Sequence, residues 1–281
     1  MISNVRKLKK KEPIRTRQLW EEIFKEDTTE FLDYYYSVKI KENEIYVIED
    51  DGKIISMLHL NPYQMRIGET VYPTNYIVAV ATAEAYRRQG LMAKLIHHVL
   101  DVMKERGEPF TFLMPANEAI YKPFGFSFVY QQALGKMSGI STELDVKFRI
   151  ATKEDCQAIA EFANNRLREF DVVTCRNAEY YQMILAEQIS EQGGILLACE
   201  GEKIVGVFCY AREGHVEIRE PLFYDEAILK QAIYTLTGNE LEEAVCIGHG
   251  ENTKPMIMAK VLQPEFENYL EKAKVFINEV V

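Results

Sequence analysis

Metal-binding and redox signatures are missing from this chain of 281 residues. Its five cysteines, Cys156, Cys175, Cys199, Cys209 and Cys246, form no Cys-x-x-Cys pair, and all lie in the second half. That usage fits reduced core thiols in a cytoplasmic protein better than a disulfide scaffold. The five histidines show no His-x-x-x-His or His-Glu-x-x-His spacing, so no metal site is expected. His97 and His98 sit side by side on a helical pattern and read as partly exposed helix residues. No run of about 18 apolar residues occurs, so no membrane span is expected. Residues 1–11 are basic and polar, without the apolar core of a signal peptide. Positive charge is in deficit: 33 Lys and Arg stand against 43 Asp and Glu, a formal net charge of −10. The electrostatic footprint of a nucleic-acid binder is therefore not expected. An acidic surface attracts cations such as polyamines, basic peptides and amino sugars, although solubility alone also accounts for such a balance. Two phosphate-binding signatures are absent as well. No Gly-x-x-x-x-Gly-Lys-Ser/Thr supports a nucleoside-triphosphate loop, and no Gly-x-Gly-x-x-Gly supports a dinucleotide fold.

What is present suffices for two packed domains: the length exceeds one ordinary domain, and 47% of residues are hydrophobic against 27% charged. Residues 12–25 predict a first helix, with Pro13 in its first turn and Leu19, Trp20, Ile23 and Phe24 at helical spacing. Thr28-Thr29-Glu30 starts a second. Residues 44–48 and 54–60 read as strands around the tight turn Asp50-Asp51-Gly52-Lys53, and residues 70–72 as another short strand. Residues 76–82 are apolar almost throughout, which suits a strand buried on both faces. Leu91, Leu95, Val99 and Met103 then recur at helical spacing up to Gly107. Residues 110–114 read as a buried strand, 117–122 as a short helix and 126–130 as extended chain. Further helices are expected at 155–165, 178–192 and 225–236.

The small, polar stretch 135–142 marks a domain boundary. A faint repeat follows it. Asp51-Gly52-Lys53-Ile54 has a counterpart in Gly201-Glu202-Lys203-Ile204, both between apolar runs, as hairpin turns would be. Two helices precede each, and strands and a helix follow, so the second domain repeats the plan of the first. The fold class expected is α+β, two tandem domains, each a mixed and mostly antiparallel sheet flanked by helices.

The informative segment is strand, turn, helix over residues 76–100. A turn leading into a helix N-terminus leaves backbone N–H groups pointing outward, and the helix dipole adds to their attraction for an anion such as phosphate. Gly90 lets the backbone approach, and Arg87 and Arg88 supply charge-assisted bonds. On its own the pattern also describes a solvated turn before an amphipathic helix.

Arg87-Arg88-Gln89-Gly90 after Val78-Ala79-Val80-Ala81-Thr82 resembles the coenzyme A signature of the GNAT superfamily of N-acetyltransferases, with Met92 where that superfamily usually has Gly or Ala. Downstream, Asn117-Glu118-Ala119-Ile120-Tyr121-Lys122-Pro123-Phe124-Gly125-Phe126 resembles the segment ending in Tyr-x-x-Phe-Gly-Tyr/Phe of the same enzymes. Over nearly its whole length the chain is similar to the bacterial enhanced-intracellular-survival (Eis-like) acetyltransferases. Those have a GNAT domain, a degenerate GNAT-like domain and a third domain like sterol carrier proteins. The resemblance implies a catalytic domain at 1–138, a degenerate domain at 139–262, and at 263–281 a linker and final strand in place of the third domain.

The resemblance also implies a mechanism. Acetyl-CoA is the donor and no metal takes part. The pantetheine lies beside Val80, Ala81 and Thr82, and a backbone N–H near Val80 serves the oxyanion. Arg87 and the backbone of Arg88, Gln89, Gly90, Leu91 and Met92 hold the pyrophosphate, and Asn117 contacts the cofactor. Tyr121 is the general acid. The terminal carboxylate of Val281 is the possible base, on a largely apolar stretch, 275–281, that reads as a strand. The acceptor is a small-molecule amine (a polyamine or an aminoglycoside-like amino sugar) or a lysine side chain. Trp20, Phe24, Glu30 and Tyr35 are candidates to line its pocket, although the aromatics among them suit a core equally. A homo-oligomer is compatible with this reading. The alternative is a non-catalytic module sensing acyl-CoA or a cationic ligand, which would have no need of Tyr121 as an acid.

Overall fold

The computed structural model describes residues 2–141, 144–212, 214–267 and 269–279. In chain order the first half contains β1 (Arg6–Lys7), α1 (Arg17–Ile23), α2 (Thr29–Ser37), β2 (Glu44–Asp50), β3 (Lys53–Ile67), β4 (Thr70–Thr82), α3 (Leu91–Glu105), β5 (Phe110–Leu113), α4 (Glu118–Tyr121) and β6 (Ser127–Ser138). Then come β7 (Lys147–Ile150), α5 (Cys156–Arg166), β8 (Val172–Thr174), α6 (Ala178–Ser190), β9 (Gly194–Glu200), β10 (Lys203–Arg212), β11 (Val216–Phe223), α7 (Glu226–Thr237), β12 (Glu243–Ile247), β13 (Asn252–Val261) and β14 (Val275–Phe276). Among the described residues, no helix is long and apolar enough to cross a membrane.

The chain forms two compact units. One comprises residues 1–130, 171–174 and 256–281, the other residues 131–170 and 175–255. Compactness thus cuts the chain at 130 and 255, where the sequence suggests 138 and 262. Two segments return to the first unit from beyond the middle of the chain. Met258–Val261 of β13 pairs antiparallel with β5, and β8 pairs antiparallel with the end of β3 while β14 lies parallel to β8.

Within the first unit the strands run β1-β2-β3-β4-β5, all neighbours antiparallel except the β4–β5 pair. Within the second they run β7-β9-β10-β11-β12, again antiparallel except the last pair. Two helices precede each central hairpin, and one helix joins each parallel pair: α3 between β4 and β5, α7 between β11 and β12. The fold is therefore α+β, with the plan of the first unit repeated in the second.

Local chemistry explains the elements. Thr28 caps α2 by accepting a bond from Phe31 N at 3.2 Å, and Asp225 caps α7 by accepting from Ala227 N at 2.8 Å. On α3 the apolar residues Leu91, Leu95, Ile96, Val99, Leu100 and Met103 are all buried, each contributing about 1.5–3 kcal/mol of hydrophobic stabilisation. His97 and His98 fall on the exposed side of that helix. The strands β3 and β4 run longer than the sequence suggests, through Pro62 and Pro73. A proline cannot donate to a ladder and is tolerated only where one edge of the strand is unpaired. Pro62 meets that condition because β2 pairs with β3 only as far as Leu60, and β8 begins pairing at Met65. Pro73 meets it because β4 touches β5 only at Tyr76.

At the β2–β3 hairpin Asp50 pairs with Lys53, and both turn residues have positive φ, 46° at Asp51 and 80° at Gly52. That combination matches the right-handed twist of the strands and favours Asp-Gly. A Cβ at Gly52 would meet no heavy atom within 4 Å, so a side chain there is penalised by backbone conformation alone. Gly52→Val is expected to cost about 1–2 kcal/mol, lowering the thermal midpoint by roughly 2–6 °C. An unchanged midpoint in a melting experiment would contradict the left-handed turn.

Candidate functional site

The site begins with a fault in the β3–β4 ladder. Met57 pairs with Ala81 and His59 with Val78, so one residue on β3, Leu58, faces two on β4, Ala79 and Val80. The extra residue makes a bulge at Ala79, whose φ is +51°. A bulge bends its strand, and here the bend has a consequence on the other edge. Parallel pairing of β4 with β5 is confined to Tyr76 and Phe112, whose rings stack at 5.2 Å between centroids. Beyond that point, among the described residues, β4 from Val78 to Thr82 has no ladder partner on the β5 side. Its outward N–H and C=O groups face a groove instead, available to a ligand.

The end of β4 feeds a tight turn. Ala83 N donates to Ile55 O at 2.9 Å, Tyr86 N to Ala83 O at 2.9 Å, and the Tyr86 hydroxyl to Asp50 Oδ2 at 3.0 Å. Arg88 and Gly90 both have left-handed φ, 63° and 76°. Such a conformation is unusual for arginine and is held only where the surroundings over-determine it. Gly90 is the N-cap of α3, and no side chain caps this end. The first helical bond runs from Lys94 N to Gly90 O at 3.0 Å, which leaves the N–H groups of Leu91, Met92 and Ala93 unspent within the helix. The first turn holds no acidic residue, α3 is 15 residues long, and Arg87 and Arg88 are exposed beside it. Helix dipole, open N–H groups and two guanidinium groups therefore attract an anion to one place.

Both features line a single groove of about 390 Å³. Of the residues singled out by sequence, Val80, Ala81, Thr82, Arg87, Arg88, Gly90, Leu91 and Met92 line it. Gln89 and Asn117 do not: Gln89 Nε2 turns back to Ala85 O at 3.4 Å, and Asn117 caps α4 through Ala119 N at 2.9 Å. Ile23, Tyr86, Ala93 and Ile120 complete the lining and were not singled out, since an isolated apolar residue carries no pattern. Tyr121 follows Ile120 directly. It is buried, its ring edge-on to Phe126 at 6.0 Å, and its hydroxyl makes no hydrogen bond to a described residue. Burial raises its pKa above the ordinary phenol value, which keeps the proton on oxygen.

Three of the four suggested acceptor residues form one aromatic cluster, and none of the four lines the groove. Trp20 and Tyr35 are buried against each other at 4.5 Å between rings, and Trp20 Nε1 donates to Asp27 Oδ2 at 2.6 Å. Phe24 is half-buried on Trp20, and Glu30 is exposed in the first turn of α2. Val281 lies outside the described residues. The last described stretch before it, Ile277, Asn278 and Glu279, is buried. Among the described residues no group of three or more His, Cys, Asp or Glu is placed to hold a metal ion.

In the second unit the corresponding place is closed by the protein itself. β11 carries a bulge at Glu220, φ +50°, where Val207 pairs with Leu222 and Cys209 with Arg219. Here β11 and β12 pair at three positions, Glu217–Val245, Ile218–Cys246 and Arg219–Ile247, so the pairing runs up to the bulge and ends there. The buried Glu220 carboxylate takes two bonds from the Arg176 guanidinium, one of them Nη2 to Oε2 at 3.0 Å. At α7 the Asp225 carboxylate already occupies the helix N-terminus and Glu226 follows it, so an incoming phosphate meets negative charge. Arg176→Met strands the buried Glu220 charge and is expected to cost about 3–5 kcal/mol in chemical denaturation. Arg176→Met with Glu220→Leu is expected to recover most of that loss. A single variant as stable as the parent would contradict the pair.

Comparison with known proteins agrees with this geometry. The family described as Acetyltransferase (GNAT) domain matches residues 4–129. No match is found among curated proteins. Among solved structures, one similar to this chain is a probable N-acyltransferase from Enterococcus faecalis V583, itself described as a conserved protein of unknown function. It is 17% identical, with a TM-score of 0.77 over 93% of this chain and 73% of the other. Eis1 from Mycobacterium abscessus is 10% identical, with a TM-score of 0.69 over 96% of this chain and 76% of its own. A tandem GNAT protein from the clavulanic acid biosynthesis pathway is 9% identical, with a TM-score of 0.61 over 94% and 99%. At these identities the structures speak to the fold, tandem and Eis-like, while the family match speaks to the first unit. Residues 4–129 are a GNAT acetyltransferase domain, and the protein that carries them is an acetyltransferase enzyme built for acyl transfer from an acyl-CoA.

Proposed function

We propose that the protein transfers an acetyl group from acetyl-CoA to a primary amine, with the chemistry in the first unit, within residues 1–138. The observation that carries this reading is one groove holding both the unpaired edge of β4 and the open N-terminus of α3. Bound acetyl-CoA supplies a thioester carbonyl open to attack by an amine nitrogen. Val80, Ala81 and Thr82 offer their edge backbone groups to the pantetheine amides, in the manner of an added strand. A backbone N–H near Val80 donates to the oxygen on which charge develops. Arg87 and the turn from Arg88 through Gln89, Gly90 and Leu91 to Met92 hold the pyrophosphate, with Asn117 contacting the cofactor from the start of α4. Met92 takes the place of the usual small residue in the motif, and it lines the groove without removing the backbone donor at that position.

Tyr121 gives its proton to the departing sulfur. Burial raises the Tyr121 phenol above its ordinary value, which keeps the proton on oxygen at assay pH until a thiolate develops beside it. The ammonium proton of the acceptor needs a base, for which the candidate is the carboxylate of Val281 where that residue ends the chain, and the second proton lost from nitrogen restores the Tyr121 phenol. Burial of Ile277, Asn278 and Glu279 in the unit that contains Tyr121 supports this assignment. The acceptor is a polyamine, an aminoglycoside-like amino sugar or a lysine side chain, a choice favoured by the net charge of −10. Phe24 and Glu30 are the acceptor-side candidates that remain at least partly accessible, while Trp20 and Tyr35 act through packing.

Thiol release from acetyl-CoA against a panel of polyamines, aminoglycosides and lysine peptides tests the reaction, and acceptor-dependent release is expected. Tyr121→Phe is expected to lower kcat by about 10²–10⁴-fold with acetyl-CoA affinity preserved. Unchanged turnover in that variant would remove Tyr121 from the mechanism.

A further inference from the structure

Beyond Ser56, the buried part of β3 carries two polar residues, His59 and Asn61, among apolar neighbours, and both are fully buried. The Tyr35 hydroxyl, also buried, lies between them. It donates to Asn61 Oδ1 at 3.2 Å, accepts from Asn43 Nδ2 at 3.0 Å and sits 3.1 Å from His59 Nδ1. The Trp20 and His59 rings meet edge to face at 5.4 Å between centroids.

Counting protons shows what this cluster lacks. Tyr35 has one hydroxyl proton, and it goes to Asn61. His59 Nδ1 must then be the donor to the Tyr35 oxygen, which leaves Nε2 as a bare lone pair. His59 Nε2 and Asn61 Nδ2 are buried atoms with no hydrogen-bond partner among the described residues. The cluster therefore presents one free acceptor and one free donor, two residues apart on the same face of β3. Turning the Asn61 amide over does not change the sum. Asn61 then donates to Tyr35, Tyr35 donates to His59 Nδ1, and the two outward atoms become a His59 N–H donor and an Asn61 carbonyl acceptor.

We propose that His59 and Asn61 together hold one buried water molecule. A donor beside an acceptor selects a partner that both gives and takes a hydrogen bond. The donor disfavours a cation and the lone pair disfavours an anion. Neutrality fits the imidazole too, since burial pushes its pKa down to about 3 and it carries no charge at physiological pH. The position gives the site a role in the fold of the groove. His59 pairs with Val78, the residue before the Ala79 bulge. Trp20 packs against His59 from α1, and Ile23, one turn further along the same helix, lines the groove. The water thus completes the polar contact that fixes α1 and α2 on β3 beside the reactive strand.

A crystal structure of the full chain at a resolution that shows ordered solvent, with ¹⁵N–¹H spectra of the imidazole, tests this. The expected result is a water oxygen within hydrogen-bond distance of both outward atoms, and a neutral His59 ring whose outward nitrogen has a hydrogen-bonded shift. No density at that point, or both atoms turned to protein partners, overturns the proposal. In Asn61→Leu crystals the water is expected to disappear. A water that persists unmoved shows that Asn61 does not hold it and overturns the paired site.

Discussion

The site depends on one irregularity, the extra residue at Ala79 that bends β4 away from β5. A regular ladder would satisfy every backbone group on β4 and leave nothing for a ligand. With the bulge, pairing to β5 shrinks to Tyr76–Phe112, and the strand beyond becomes an open edge inside a groove. Exposed edges are normally a hazard that proteins cover. Here the groove sits at the C-terminal end of β4, and the next structural event is a helix whose first turn is open. Polar backbone along the edge and positive potential at its end suit a ligand with amides along its arm and phosphates at its head.

The second unit shows that the fold alone does not make the site. It has the same strand order, the same helix between its parallel strands and a bulge at the matching place. Three substitutions of chemistry reverse the outcome. The parallel strands stay paired, Glu220 and Arg176 neutralise each other at the bulge, and Asp225 caps the helix that would otherwise receive phosphate. The first carries the pairing up to the bulge, and the other two close features that the first unit leaves open.

Much of this was legible in sequence where a local rule was strong. Asp51-Gly52 gave its turn because few residue pairs accept positive φ twice. The helix over residues 91–105 was visible because its apolar residues keep one face. Arg87 to Gly90 was legible as an anion turn because charge, glycine and a following helix coincide. The bulge was not, since Val78-Ala79-Val80-Ala81 is apolar on every residue and a one-residue slip leaves no trace in a pattern without alternation. The continuation of β3 and β4 through Pro62 and Pro73 was hidden because a proline's tolerance depends on which edge is paired, a tertiary fact. The strands of β8 and β14, three and two residues long, are too short for any periodicity. Their return to the first unit is what moves its boundaries. His59 and Asn61 carry no signal as a pair along the chain, because Tyr35 on α2 is what brings them into one network.

The central claim is that the opened β4 edge and the uncapped start of α3 form the acyl-CoA site, and that the second unit has no equivalent. Amide hydrogen exchange with and without acetyl-CoA tests it directly. The account predicts new protection at Val80–Thr82 and Leu91–Ala93, with no change at Arg219–Leu222 of β11 or at the first turn of α7. Protection appearing in β11 and α7, or none at the β4 edge under saturating acetyl-CoA, would contradict it.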